Sequence, residues 1–256
     1  MELELSDPVK KINPYLMFRL ISVLIFIIIV YFPMLFVPRR FHFGFFYNFA
    51  INLFNWACKI RVNNMSSHDF NVHNPVIFAS NHKSFADPVL VAKLIKGPFV
   101  FTMSQHVLDK IPPFKIIGLK LGFVGIDKSS YQSFSRAFAK IKKRFKNKYS
   151  LIYFPEGYYT LDKPVGRMKS GIAKIAAETN ARISPVAIYG VDQSFIYKKK
   201  LVWKDVYIKV GEPVNHDNFE HRKFLSKELE NRIEKLYLSM ENKLTDAVKN
   251  DSKAGV

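Results

Sequence analysis

A histidine and an aspartate stand five positions apart in the stretch Asn81, His82, Lys83, Ser84, Phe85, Ala86, Asp87, Pro88. A carboxylate bonded to one imidazole nitrogen fixes the tautomer and leaves the other nitrogen free to take a proton, which makes a general base. The stretch directly follows the apolar run 76–80, bounded by Pro75, which reads as a short buried strand. A chain leaving a strand and turning tightly into a helix brings His82 and Asp87 within hydrogen-bond reach. The same residues also have a purely structural reading, with Asp87 as N-cap and Pro88 as the first residue of a helix over 88–95, and Asn81 in the turn. On this stretch alone the two readings stand level.

Two more groups have chemical potential. Phe154, Pro155, Glu156, Gly157 ends an apolar run, and Glu156 there is placed to accept hydrogen bonds from a polyol or from neighbouring backbone, although Pro-Glu-Gly is also ordinary turn chemistry. Gly122, Phe123, Val124, Gly125, Ile126, Asp127, Lys128 reads as a Gly-flanked strand that presents Lys128 to a phosphate, or else as a surface ion pair.

The elements that position these groups alternate along the chain. After the strand over 76–80 and the helix over 88–95 comes a strand over 99–103, an order that implies parallel pairing through a crossover. Phe134, Phe138, Ile141 and Phe145 mark the apolar face of a helix whose other face is basic. Residues 149–154 read as a strand, 170–179 as a helix and 183–189 as a strand. Val206, Ile208 and Val210 alternate as in a half-solvated strand, and 218–250 forms a charged helical tail. Ligands of such sheets collect beyond the carboxyl ends of the strands, where His82 and Glu156 both fall.

Ahead of this α/β unit (59–256), residues 1–58 are organised as two apolar helices. Between 15 and 37 the only charge is Arg19, and about 20 apolar residues match the ~30 Å hydrocarbon core of a bilayer. The segment 41–58 is uncharged, with Asn48, Asn52 and Asn55 forming one polar stripe opposite Phe45, Phe46, Phe49, Leu53, Phe54 and Trp56, a pattern suited to the membrane interface. No cleavage site follows the first helix, so it is expected to stay on the chain. The net charge is +18, of which +16 belongs to the region after residue 58. Such charge attracts anionic lipid or a phosphorylated substrate, and basic residues concentrated after the anchor place the body on the cytoplasmic side. Nucleic-acid motifs are missing from the sequence, and a hydrophobic anchor argues against that partner. The single cysteine, Cys58, excludes an internal disulfide and reads as a buried thiol.

Taken together and in order, the three groups resemble the 1-acylglycerol-3-phosphate acyltransferases (lysophosphatidic acid acyltransferases) among the glycerolipid acyltransferases. Asn81, His82, Ser84 and Asp87 fill an Asn-His-x-Ser-x-x-x-Asp block, Ile126, Asp127 and Lys128 stand where Ile-Asp-Arg is usual, and Phe154 to Gly157 open a Phe-Pro-Glu-Gly-Thr-Arg block. Met168, Lys169, Ser170, Gly171 resemble a Phe-Lys-x-Gly segment, and Ile183, Ser184, Pro185, Val186 a proline-containing last block. Departures are Lys128 for Arg, Tyr158 and Tyr159 for Thr-Arg, Arg182 for an earlier proline, and Ser104 and Gln105 where a Lys is common. The likeness covers about residues 60–215 and extends to the two-helix attachment.

The resemblance implies a mixed, largely parallel sheet flanked by helices behind the N-terminal membrane helices. It implies an enzyme that moves a fatty acyl group from a thioester, coenzyme A or acyl carrier protein, to the free hydroxyl of 1-acylglycerol-3-phosphate. His82 is then the base and Asp87 its orienting partner. Asn81, Ser84, Lys128, Glu156, Gly157, Arg167 and Lys169 are the expected substrate contacts, with Lys128, Arg167 and Lys169 on the phosphate. No metal or prosthetic group is implied. No Gly-x-Ser-x-Gly elbow occurs, which disfavours an acyl-enzyme. Two other readings stand beside this one: an acyltransferase for another lysolipid or an amino-acid-derived lipid, and a non-catalytic basic membrane module.

Overall fold

The computed structural model describes residues 13–34, 45–66, 74–110, 123–127, 131–192, 202–218 and 222–254. Helices α1 (Pro14–Met34) and α2 (Phe45–Cys58) precede β1 (Ile60–Asn64), β2 (Ile77–Ser80), α3 (Asp87–Ala92), β3 (Phe99–Ser104), α4 (Gln105–Lys110) and β4 (Val124–Ile126). There follow α5 (Tyr131–Lys146), β5 (Ser150–Tyr153), α6 (Gly171–Thr179), β6 (Ile183–Tyr189), β7 (Lys204–Val210), a short 3-10 turn (His216–Asn218) and α7 (Arg222–Ala254).

The strands form one seven-stranded sheet in the order β1-β7-β6-β2-β5-β3-β4. Every pairing is parallel except β6 with β7, so the expected mixed, largely parallel sheet is what forms. The central strands are apolar on both faces, as strands covered on both sides must be. Phe78, Ile152 and Ile188 point into one layer with α1, α2 and α3, while Ile77, Leu151 and Ile183 point into the other with α5, α6 and α7.

α1 starts on Asn13, whose Oδ1 accepts the amide hydrogens of Tyr15 (2.9 Å) and Leu16 (3.3 Å), with Pro14 next, where a missing N–H costs nothing. Leu16 and Ile51 join α1 and α2 to the core that contains Phe78 and Val91. Of the polar stripe of α2, Asn55 is buried while Asn48 and Asn52 are exposed, Asn52 accepting a hydrogen bond from the Lys93 ammonium at the end of α3. Among the described side chains, the large apolar ones exposed on the two helices are Tyr15, Met17, Phe18, Ile21, Ile25 and Phe26 on α1, and Phe49 and Trp56 on α2. Arg19 stays on this surface by stacking its guanidinium 4.0 Å over the Trp56 ring and donating to the Trp56 carbonyl at 2.7 Å. Among the described residues no helix is long and apolar enough to cross a membrane.

The helix after His82 corrects one expectation. α3 is shorter than 88–95, its N-cap is Ala86 without a side-chain cap, and Asp87 is its first residue. The Asp87 carboxylate is turned back on the preceding residues. β1 and α4 were not foreseen, and Gly122 and Lys128 lie outside the described residues.

Candidate active site

The parallel pairing of β2 with β5 sets Ala79 against Tyr153. His82 and Glu156 each follow three residues later, so the two chains leave the same sheet edge in step. Their contact is direct: the His82 amide donates to Glu156 Oε1 at 3.0 Å. On the other side β2 pairs with β6, Ser80 against Val186. Asn81 extends that ladder with its side chain, its Oδ1 accepting the Ile188 N–H (2.8 Å) and its Nδ2 donating to the Ile188 carbonyl (3.0 Å) and the Pro164 carbonyl (3.3 Å).

His82 Nδ1 lies 2.9 Å from Asp87 Oδ2. That oxygen also accepts the Lys83 amide (2.6 Å) and the Ser84 amide (2.8 Å), and Oδ1 accepts the Ser84 hydroxyl (2.8 Å). Asp87 is fully buried, and four donors compensate its lost hydration. Ser84 is equally buried, and its Oγ accepts the Ala86 amide at 3.2 Å. The amides of His82, Lys83, Ser84 and Ala86 are thus all occupied inside the turn or by Glu156, and Pro88 has none.

The His82 ring stacks on Phe154 with centroids 4.2 Å apart, and the Tyr159 ring lies 4.4 Å away at 57°. This leaves His82 with 17% side-chain exposure, enough for one ring edge to meet a substrate.

Glu156 is fully buried beneath this assembly. Besides the His82 amide it accepts the Thr160 hydroxyl and the Gly166 amide. Burial pushes its carboxyl above the ordinary glutamate range, and those hydrogen bonds oppose the rise. Gly157 turns the chain at φ +74°, a left-handed conformation that favours glycine. Gly166 must also lack a side chain, because a Cβ there would collide with the Thr160 hydroxyl and the Glu156 carboxylate.

Arg167 and Lys169 are exposed, the latter with its ammonium 5.8 Å over the Tyr158 ring. His82, Asp87, Ser84 and Glu156 therefore come together as one bonded unit, with Asn81 and Gly157 next to it along the chain. The side chains of Arg167 and Lys169 stand outside it, although the Lys169 amide donates to the Pro155 carbonyl at 3.0 Å. Asn81, Ser84 and Glu156, expected as substrate contacts, have their polar atoms engaged by the protein itself.

Two participants went unforeseen, Lys83 and Thr160, and Tyr159, noted in the sequence as a departure from the family pattern, is a third. Lys83 is buried, and its ammonium donates to the Thr160 carbonyl (2.8 Å) and the Lys163 carbonyl and faces the Tyr237 ring of α7 at 5.6 Å. Burial pulls its pKa down against the fields of Glu156, Asp162, Asp87 and Asp192. Thr160 supplies Glu156 with a hydroxyl and donates its amide to the His82 carbonyl at 2.9 Å. Tyr159 walls the imidazole. Cys58 behaves as expected of a buried thiol, its pKa pushed up to about 12. Among the described residues no group of three or more His, Cys, Asp or Glu side chains is arranged to hold a metal ion.

A buried-carboxylate–imidazole pair at the carboxyl edge of a parallel sheet, with a glutamate turn beside it, occurs on a chain whose residues 59–189 match the acyltransferase family, and the chain belongs to that family of enzymes. It is 27% identical over 164 residues to the 1-acyl-sn-glycerol-3-phosphate acyltransferase of Borreliella burgdorferi, covering 63% of this chain and 64% of that one. To the probable 1-acyl-sn-glycerol-3-phosphate acyltransferase of Mycoplasma pneumoniae it is 29% identical over 157 residues, covering 56% and 58%. The chain thus spans less than two thirds of the length of these relatives. Its fold is that of the 1-acyl-sn-glycerophosphate acyltransferase PlsC from Thermotoga maritima, with a TM-score of 0.64 at 23% identity over 89% of this chain and 96% of that one.

Proposed function

We propose that this chain transfers a fatty acyl group from a thioester to the free hydroxyl of 1-acylglycerol-3-phosphate, giving phosphatidic acid. The observation that carries the reading is the 2.9 Å contact of His82 Nδ1 with a carboxylate that is buried and saturated by three further donors. Asp87 accepts a hydrogen bond from Nδ1–H and keeps that proton on the ring, so Nε2 is left as the acceptor for the hydroxyl proton. The alkoxide-like oxygen attacks the thioester carbonyl, forming the ester C–O bond. The C–S bond breaks, and the imidazolium returns its proton to the departing thiolate. Both substrates are bound together, without an acyl-enzyme.

Asn81, Ser84 and Glu156 act as positioning residues in this scheme, since their polar atoms hold the turn. The phosphate falls to the exposed cations Arg167 and Lys169, and to Lys128. Because the amides of the turn are engaged, the oxyanion formed on the thioester carbonyl draws its donors from outside residues 82–84 and 86. Coenzyme A or acyl carrier protein serves as donor, and both suit a basic domain. The exposed apolar side chains of α1 and α2 lie in the cytoplasmic interface of the bilayer, from which the acceptor arrives.

A second reading, another lysolipid as acceptor, draws on Tyr158 and Tyr159 in place of Thr-Arg. The deciding experiment screens purified protein with lysophosphatidic acid and other lysolipids against acyl coenzyme A and acyl carrier protein. Acceptor-dependent thiol release with lysophosphatidic acid, abolished in His82→Ala while vesicle binding persists, is the expected result. Unchanged turnover in that variant would refute the mechanism, and preference for a phosphate-free acceptor would favour the second reading.

A further inference from the structure

Large apolar side chains are exposed at three of four positions in the loop after Glu156: Tyr158 (48%), Tyr159 (37%) and Leu161 (59%). The loop is held firmly from below. Thr160 is buried, its amide on the His82 carbonyl and its hydroxyl on Glu156, and the Lys83 ammonium takes the carbonyls of Thr160 and Lys163. Asn81 takes the next carbonyl, that of Pro164. Residues of one short loop thus divide into buried anchors and outward apolar groups. A rigid display of that kind is a built contact surface rather than a solvated turn.

The surroundings point to the partner. Lys163, Arg167 and Lys169 are exposed around the loop against one exposed acid, Asp162. Tyrosines and an aliphatic tip ringed by cations suit the headgroup layer of an anionic bilayer, where phenol rings keep their hydroxyls hydrated and ammonium groups meet lipid phosphate. The His82–Asp87 turn links this loop to the packed face of α2. His82 touches Tyr159 at 4.4 Å, and Phe85 touches Phe54 of α2 at 6.0 Å between centroids.

We infer that the loop carrying Tyr158, Tyr159 and Leu161 is a second membrane-contacting element, which enters the headgroup layer of an anionic bilayer and sets the mouth of the His82 site on the lipid surface. The inference rests on the proposed transfer to a bilayer-borne lysolipid and adds the element through which the acceptor leaves the bilayer.

The test uses full-length protein on vesicles of phosphatidylcholine and phosphatidylglycerol. A Leu161→Cys variant is labelled with an environment-sensitive fluorophore, Cys58 being buried and unreactive, and a Lys140→Cys variant on the exposed face of α5 serves as reference. The Leu161 probe should shift to the blue on vesicle binding and be quenched by brominated lipid, while the Lys140 probe should do neither. A Leu161 probe that remains as aqueous as the Lys140 probe on the vesicle overturns the inference. In parallel, a Leu161→Ser variant should lose severalfold in kcat/KM on vesicle-borne lysolipid and keep its turnover of a short-chain, water-soluble lysolipid. Equal losses on both substrates would count against membrane contact. If the wild-type protein acylates neither substrate, the transfer reading fails, and the probe still decides the loop.

Discussion

Asp87→Asn separates the geometry of the His82–Asp87 turn from its charge. The amide oxygen can replace Oδ2 and keep the three donors from His82, Lys83 and Ser84, while the new NH2 group donates to Ser84 Oγ in place of Oδ1. The tautomer of His82 is therefore retained. What disappears is the negative charge facing the imidazolium. Two unit charges about 4 Å apart at an effective dielectric near 20 interact by ~4 kcal/mol. At about 1.4 kcal/mol per decade, turnover should fall roughly a thousandfold. All four charge-assisted hydrogen bonds become neutral ones, but the carboxylate no longer has to be buried, so stability should change by only about 1–2 kcal/mol. Asp87→Ala differs, because it strands the Lys83 and Ser84 amides and the Ser84 hydroxyl, at about 1–3 kcal/mol each. The assay is acceptor-dependent thiol release from an acyl thioester, with a thermal melt on the same preparation. If Asp87→Asn keeps turnover within tenfold of wild type at an unchanged melting temperature, the charge of Asp87 has no part in proton transfer and the reasoning fails.

Two further outcomes follow from the Glu156 cluster. Because burial raises the Glu156 pKa in the fold, its contribution favours the folded state below the ordinary glutamate value of about 4.3 and is lost as pH rises through the raised value. The melting temperature of wild type relative to Glu156→Gln should accordingly decline from about pH 4 towards neutrality, and a difference independent of pH would contradict a buried, desolvated carboxyl. Gly166→Ala should destabilise the protein by about 1–3 kcal/mol and depress turnover, as its methyl group displaces Thr160 and Glu156 from beneath His82. Wild-type melting and activity in that variant would show that the cluster yields without consequence.

The central strands were legible because 76–80 and 149–154 are continuous apolar runs, the mark of strands covered on both faces. β1 escaped notice: Arg61 and the two asparagines that end it break the apolar pattern, and its pairing with β7 depends on residues far along the chain. The His82–Asp87 contact was legible from spacing, since both residues sit within one turn. The N-cap reading of Asp87 fails because its carboxylate points back to Lys83 and Ser84 rather than forward into α3. Lys83 carried no signal. A lysine in a turn is ordinarily solvated, and only the arrival of the 160–163 carbonyls and Tyr237 buries it. Thr160 was hidden differently, two positions beyond the place where the family pattern puts its threonine.

The turn between His82 and Asp87 divides its labour: the main chain of Lys83 and Ser84 serves the carboxylate, while the side chains of Lys83 and Phe85 reach the 160–163 loop and α2. The acid–base pair therefore places little demand on which side chains fill the Lys83 and Phe85 positions. A change at either position would leave the main-chain bonds of the pair in place while adjusting how stiffly the loop or the N-terminal helices are coupled to the reacting centre. Exchanging them between relatives is a route to moving substrate presentation from one enzyme to another while leaving the chemistry where it is.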